Sequence, residues 1–377
     1  MSVAFPPSVT LSSLAEASAR AIIASQQQSG AFPASPSFSA YRGYCWFRDG
    51  SFIADAASAW GAIEEASRFF DWCARILEAR APQIDRIVAA AAAGDPLGNE
   101  DMLPTRFTFD GGEGDDDWWD FQLDGYGTWL WALTAHCKRH NISPQRWQRA
   151  IDLTVDYLAS SWERPCYDWW EEHSEQVHGS TLGSIIAGLD SLCDARYLDP
   201  ARHEAARSAA EAARRTLYSD GIANGHLVKW LGNDAVDASL ASLIAPFGVV
   251  RPSDPIAAGT VAALDGALNV GGGVHRFLAD TFYGGGQWPL LSCFLGLAYA
   301  SVGDRETAAQ LLVWAAGTSD EDQHLPEQVA DHLLAPERQD EWIERWGTSA
   351  SPLLWSHAMY LRLALVLGVV TPERTLP

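Results

Sequence analysis

The stretch GYGTWLWALTAHCKRH, residues 125–140, decides the fold. Its apolar residues cover a wide face at helical spacing. The same periodicity recurs over residues 11–28, 52–60, 62–78, 143–159, 181–192 and 202–217, and again over 235–244, 254–268, 289–300, 305–316 and 352–367. Ser143-Pro144 and Ser351-Pro352 are helix-start signals. Runs with strand-like alternation are few and short. The pattern predicts about twelve helices, or six pairs. Pairs averaging about sixty residues are too long for the ~34-residue repeats of a solenoid. The loops over 109–119, 162–178 and 320–348 are long and rich in Gly, Trp and acid, and such loops in a compact domain are usually functional. An all-α closed ring of helical hairpins, with the long loops gathered at one end, follows. No Pro-, Ser- or Gly-rich linker divides the chain, so residues 1–377 are expected to form one domain.

Composition narrows the function. The chain is 47% hydrophobic and 20% charged, and a chain of this size buries about 75% of its surface on folding. Lys and Arg number 26 against 48 Asp and Glu, a net charge of −22. That field repels phosphate backbones and anionic membranes, which argues against nucleic-acid and membrane partners. The six cysteines (Cys45, Cys73, Cys137, Cys166, Cys193, Cys293) form no C-x-x-C pair and lie mostly among apolar residues, as buried free thiols do. Residues 1–28 carry no signal-peptide pattern and no run is long enough to span a membrane, so a cytoplasmic enzyme is expected. Seventeen Trp are present. Singly they belong in a core. Clustered beside carboxylates they suit stacking on sugar rings.

Four segments carry chemistry. Tyr41-Arg42-Gly43-Tyr44-Cys45-Trp46-Phe47-Arg48-Asp49-Gly50 alternates aromatics with an Arg–Asp pair just ahead of a helix, suited to bidentate binding of hydroxyls; by itself it also reads as a capping Asp49 beside a surface Arg48. Tyr167-Asp168-Trp169-Trp170-Glu171-Glu172 sets adjacent acids among three aromatics, and an apolar wall raises a carboxyl pKa as a general acid requires; the plain alternative is an acidic first helical turn. From Gly271 to Pro289, glycines bracket His275, Arg276, Asp280, Tyr283 and Trp288, a loop that lets backbone and side chains approach a ligand. His324-Leu325-Pro326-Glu327-Gln328 places Glu327 between helices, where it is either a base facing a cavity or a solvated surface group.

Together and in order, W-x-R-D, W-E-E, R-x-x-x-D-T-x-Y-G-G-x-x-W-P and P-E-Q resemble glycoside hydrolase family 15, the glucoamylases and glucodextranases, from about Tyr41 to Leu367. The resemblance implies an (α/α)6 barrel with its site at the barrel mouth. It implies Glu171 as general acid and Glu327 as general base. Glu172 matches a substrate-binding acid, with Trp170 beside it. Arg48 and Asp49, with Trp46, match the pair holding the non-reducing glucose. Arg276 matches an arginine near the scissile bond, and Asp280, Tyr283 and Trp288 follow it in the motif. In departure from the family pattern, neither an N-terminal β-domain nor a starch-binding module is expected. Its segment after Glu172 is longer than in fungal members, which leaves Glu175 as a rival acid. Within the family the chain is similar to compact isomaltose glucohydrolase-type members, which finish short oligosaccharides.

An inverting exo-hydrolase is therefore expected, needing no metal or cofactor. It would release β-glucose from short α-glucosides, most of all α-1,6-linked ones, inside a closed-end pocket. Its carboxyls would stand about 6.5–9.5 Å apart, leaving room for a water. The acid and base would have different pKa values and give a bell-shaped pH profile. α-1,4 malto-oligosaccharides and trehalose are alternative substrates. Asp116-Asp117-Trp118-Trp119-Asp120 also fits D-D-x-x-D, a Mg²⁺–diphosphate motif of terpenoid enzymes. The loop from Asp110 to Asp120 also invites a Ca²⁺ reading but lacks EF-hand spacing. A barrel that binds sugar without cutting it is a further rival. Oligomeric state is left open by the sequence.

Overall fold

The computed structural model describes residues 10–115, 118 and 121–372. Asp116, Asp117, Trp119 and Asp120 of the D-D-x-x-D reading lie outside the described residues. Fourteen α-helices occur among the described residues: α1 (Leu11–Ser25), α2 (Phe47–Trp60), α3 (Ile63–Ala79), α4 (Ala81–Ala92), α5 (Asp124–His140), α6 (Gln148–Ser161), α7 (Gly179–Ala195), α8 (Pro200–Asp220), α9 (Ala241–Ile244), α10 (Pro255–Leu268), α11 (Pro289–Val302), α12 (Arg305–Gly317), α13 (Gln339–Trp346) and α14 (Leu354–Leu367).

Twelve of them form two concentric rings. The inner ring runs α2–α5–α7–α9–α11–α14 and closes back on α2; α1, α3, α6, α8, α10 and α12 pack outside it. This is the (α/α)6 barrel. Burial follows position. Inner helices are enclosed on nearly every side, so α2 buries even Arg48, Asp49 and Asp55. Outer helices such as α3 bury one stripe (Ala66, Phe69, Phe70, Cys73, Leu77) and turn Glu64, Glu65 and Arg75 outward, as amphipathic helices must. The closest inner crossing, α5 on α7, depends on missing side chains. A Cβ on Gly127 would stand 2.4 Å from the Ser184 carbonyl oxygen, and one on Gly188 would stand 2.5 Å from that of Gly127.

The barrel is plugged along its axis by aromatics. The Phe52 ring stacks on Trp355 (5.5 Å) and Phe247 (5.6 Å), and meets Trp131, Trp169 and Phe294 within 5.8 Å. Nearly all the buried apolar residues form one contiguous cluster, and all six cysteines are free and buried. No helix among the described residues is long and apolar enough to cross a membrane.

Several boundaries differ from the expected ones. α2 starts at Phe47 and not at 52, so Arg48 and Asp49 belong to its first turn. α14 starts at Leu354, after Ser351-Pro352. α9 is a single turn. Two helices went unanticipated: the Ala-rich α4, continuous with α3 but for one residue, and the short polar α13 inside a long loop.

Candidate active site

The long loops meet at one end of the barrel around a cavity of about 280 Å³. Trp46, Arg48, Asp49, Trp170, Glu171, Glu172, Arg276, Trp288 and Glu327 all line it, although they come from four distant segments. Trp169 and Trp355 lie at its lining as well as in the aromatic plug, so the plug forms its floor.

Local structure explains each placement. Strand β1 (Tyr44–Trp46) pairs antiparallel with β2 (Arg106–Thr108) and delivers Trp46 to the start of α2. Two residues on, Arg48 donates to Gln122 Oε1 (3.0 Å) and Asp124 Oδ2 (3.1 Å). Its Nε lies 3.3 Å from Asp49 Oδ2. Burial pushes the Asp49 carboxyl up to about 6, against the pull of Arg48.

The W-E-E turn is tied by Asp168, whose Oδ1 accepts from the backbone N–H of Trp170 and of Glu172, each at 2.9 Å. The turn holds Glu171 at φ 62, a left-handed conformation that costs a non-glycine residue about 1–3 kcal/mol and is tolerated mainly at functional sites. Glu171 Oε1 accepts from Trp46 Nε1 (2.5 Å) and Oε2 from Trp118 Nε1 (2.6 Å). Burial nonetheless dominates and pushes its carboxyl up to about 7, against Arg48 and these two donors. Glu172 is less enclosed; Arg276 Nη2 lies 3.3 Å from its Oε1, and burial raises its pKa against that charge.

Arg276 is buried, forked on Asp280, and ringed by Trp170, Phe282 and Trp288 at 5.1–5.5 Å. Asp280 therefore anchors Arg276 and is not itself at the cavity. Glu327 comes from the loop between α12 and α14. Its backbone N–H donates to Ala350, and the neighbouring Val329 exchanges both backbone bonds with Gln287 of the Arg276 segment. Its Oε1 accepts from the Tyr41 hydroxyl (2.8 Å). Its Oε2 is buried with no hydrogen-bond partner among the described residues. Burial pushes this carboxyl too up to about 7, with the Tyr41 bond and the Arg276 charge pulling it back. The two carboxyls are thus set alike, where the sequence reading expected them to be set apart.

Two expected residues lie elsewhere. Tyr283 is buried away from the cavity lining; its hydroxyl donates to the Gly347 carbonyl (2.9 Å) and its ring stacks on Trp342. The preceding Phe282 lines the cavity in its place. Glu175 is exposed and beyond the cavity. Several contributors went unassigned in the sequence. Tyr41 and Trp118 stood inside quoted segments. Lys229 and Asp237 stood in none: Lys229 Nζ lies 2.9 Å from Asp168 Oδ2 and 2.5 Å from Asp237 Oδ2, and Trp170 Nε1 donates to Asp237. No spacing signal joins residues so far apart in the chain.

Two buried carboxyls of raised pKa, walled by indoles and backed by paired arginines at the mouth of a helical barrel, define a glycoside-hydrolase site. The sequence profile of Glycosyl hydrolases family 15 matches residues 9–365, and the chain belongs to that family. It is 52% identical over 363 residues to the isomaltose glucohydrolase of Kribbella flavida, covering 96% of this chain and 94% of that protein. Among solved structures, a glycosidase superposes with a TM-score of 0.93 at 51% identity over 96% of this chain and 97% of its own, and a variant of it has been solved in complex with glucose. The glucoamylase of Saccharomycopsis fibuligera shares the fold (TM-score 0.66, 13% identity, 96% of each chain). The protein is a glycoside hydrolase.

Proposed function

We propose that the enzyme is an inverting exo-α-glucosidase that releases β-glucose from short α-1,6-linked glucosides, with Glu171 as general acid and Glu327 as general base. The observation that carries this reading is the contrast between the two carboxyls. Both oxygens of Glu171 are held by indole N–H groups, which aim the carboxyl at one spot on the cavity wall. Glu327 has one oxygen held by Tyr41 and the other without a partner among the described residues, as a base awaiting a water requires. Asp49 Oδ2 and Arg48 Nε meet each other at 3.3 Å and make no other hydrogen bond among the described residues, which suits them to the hydroxyls of a terminal glucose. Protonated Glu171 donates to the glycosidic oxygen while ionised Glu327 deprotonates the attacking water; the C1–O bond breaks as the new one forms on the opposite face. The 52% identity to an isomaltose glucohydrolase and the small cavity support isomaltose over long glucans.

Proton NMR of the enzyme with isomaltose tests both halves of the reading. The β-anomer of glucose should lead in the first minutes, ahead of mutarotation. An early α-anomer overturns the water-activating role of Glu327. No glucose from isomaltose, but glucose from maltose or trehalose, moves the substrate and keeps the chemistry.

The productive state has Glu171 protonated and Glu327 ionised, and with both near 7 it is most populated close to neutral pH. Tyr41→Phe removes the strongest influence that lowers the Glu327 pKa. The acidic limb of kcat/KM should move to higher pH, and kcat/KM should fall at least about tenfold, the range for a hydrogen bond to a charged group. An acidic limb that stays in place disconnects Tyr41 from the base.

A further inference from the structure

The loop that carries Glu327 goes on to form α13, which lies outside both rings and is the one α-helix among the described residues with no fully buried residue. We infer that α13 is a length gate: Trp342 and Trp346 close the outward side of the cavity, so that the enzyme takes disaccharides in preference to longer glucans. This rests on the reading of the cavity as a glucoside site.

The geometry is that of a strut across an opening. At one end, Trp342 packs edge-on to Phe282 (4.9 Å), stacks on Tyr283 (6.2 Å) and donates from Nε1 to the Thr281 carbonyl (3.1 Å). Tyr283 also holds the carbonyl of Gly347, just past the end of the helix, which gives this misplaced residue a task. At the other end, Trp346 stacks on Trp118 (5.9 Å, 27° between planes) and meets Phe38. α13 therefore reaches from the Arg276 segment to the wall that holds Glu171. Its polar residues, Asp340, Glu341, Glu344 and Arg345, are exposed, while its two indoles line the cavity. A helix packed this way is there for what it covers. The space it leaves, about 280 Å³, sits at the lower edge of the ~300–1,000 Å³ usual for ligand pockets. With the terminal glucose against Arg48 and Asp49, the leaving sugar points outward, and an indole face beside it stacks on one ring. A further glucose unit then meets Trp346 and Trp118.

The test is the ratio of kcat/KM for isomaltotriose to that for isomaltose. Trp346 also backs the Trp118 that donates to Glu171, so its loss slows the chemical step for both sugars, and the ratio cancels that common effect. In Trp346→Ala and Trp342→Ala the ratio should rise at least about fivefold, within the span by which pocket shape discriminates substrates. Trp346→Phe, which keeps a ring in place, should stay near wild type. A smaller rise in both alanine variants overturns the gate, as does a wild-type enzyme that cuts both sugars equally well; either leaves the glucosidase reading standing. A wild-type enzyme that cuts neither sugar overturns that reading and the gate with it.

Discussion

Glu327→Gln should lose turnover of isomaltose by about 10²–10⁴-fold, the range that a positioned general base supplies, while becoming more stable than the wild type at pH 8. The second half follows from linkage. The carboxyl's ordinary value of 4.5 is raised to about 7 in the folded protein, chiefly by burial. A raised carboxyl contributes stability that is present below its unfolded value and is lost as pH rises through the folded one. At pH 8 the folded chain bears the full cost of an ionised buried group, about 3 kcal/mol at 1.36 kcal/mol per pKa step. Glutamine cannot ionise, and its carbonyl can keep the Tyr41 hydrogen bond. The variant should therefore melt several degrees above wild type at pH 8, with the gap closing toward pH 4. Thermal unfolding at the two pH values is the measurement. A gap of the same size at both would mean that the gain comes from packing and not from ionisation.

Lys229→Met should unfold the protein more than any other single change considered, by about 3–5 kcal/mol, because it strips the cation from two buried carboxylates. Asp168 and Asp237 are both almost fully buried and share that one ammonium. The attraction of Lys229 holds Asp168 in its charged form against burial, and its pKa lies below the ordinary value. Asp168 ties the turn that holds Glu171, and Asp237 accepts from Trp170, so activity should fall with stability. The triple variant Lys229→Met/Asp168→Asn/Asp237→Asn separates the causes. With the charges gone, denaturant unfolding should return most of the lost stability. If it does not, the lysine matters for its shape and not its charge.

The sequence was most readable where chemistry is local. Helix periodicity marked both rings because inner and outer helices each repeat apolar residues at helical spacing. W-E-E and P-E-Q placed Glu171 and Glu327 on one cavity because each short motif shapes its own turn. Position within a motif was less readable: Tyr283 and Phe282 are neighbours of the same chemical kind, and the turn with left-handed backbone at Tyr283 sets Phe282 at the cavity and Tyr283 against Trp342 and Gly347. The short helix α13 has a polar surface and two indoles that find partners only across the mouth, so its eight residues read as loop. α4 was hidden because it restarts behind α3 after a single residue, Arg80, with Pro82 in its first turn. Lys229 was out of reach altogether. A lone lysine reads as surface until the fold sets it between two aspartates that lie 61 and 8 residues away in the chain.

The aromatic plug behind the cavity dictates the traffic of sugars. With Phe52 and its neighbours filling the barrel axis, the mouth is at once entrance and exit. On the proposed reading, glucose seated deepest against Arg48 and Asp49 must leave by the way the substrate came, after the departing sugar. A chain cannot be threaded through and trimmed in successive steps without letting go. Every turnover is thus a separate encounter, and accumulated glucose competes for the same door.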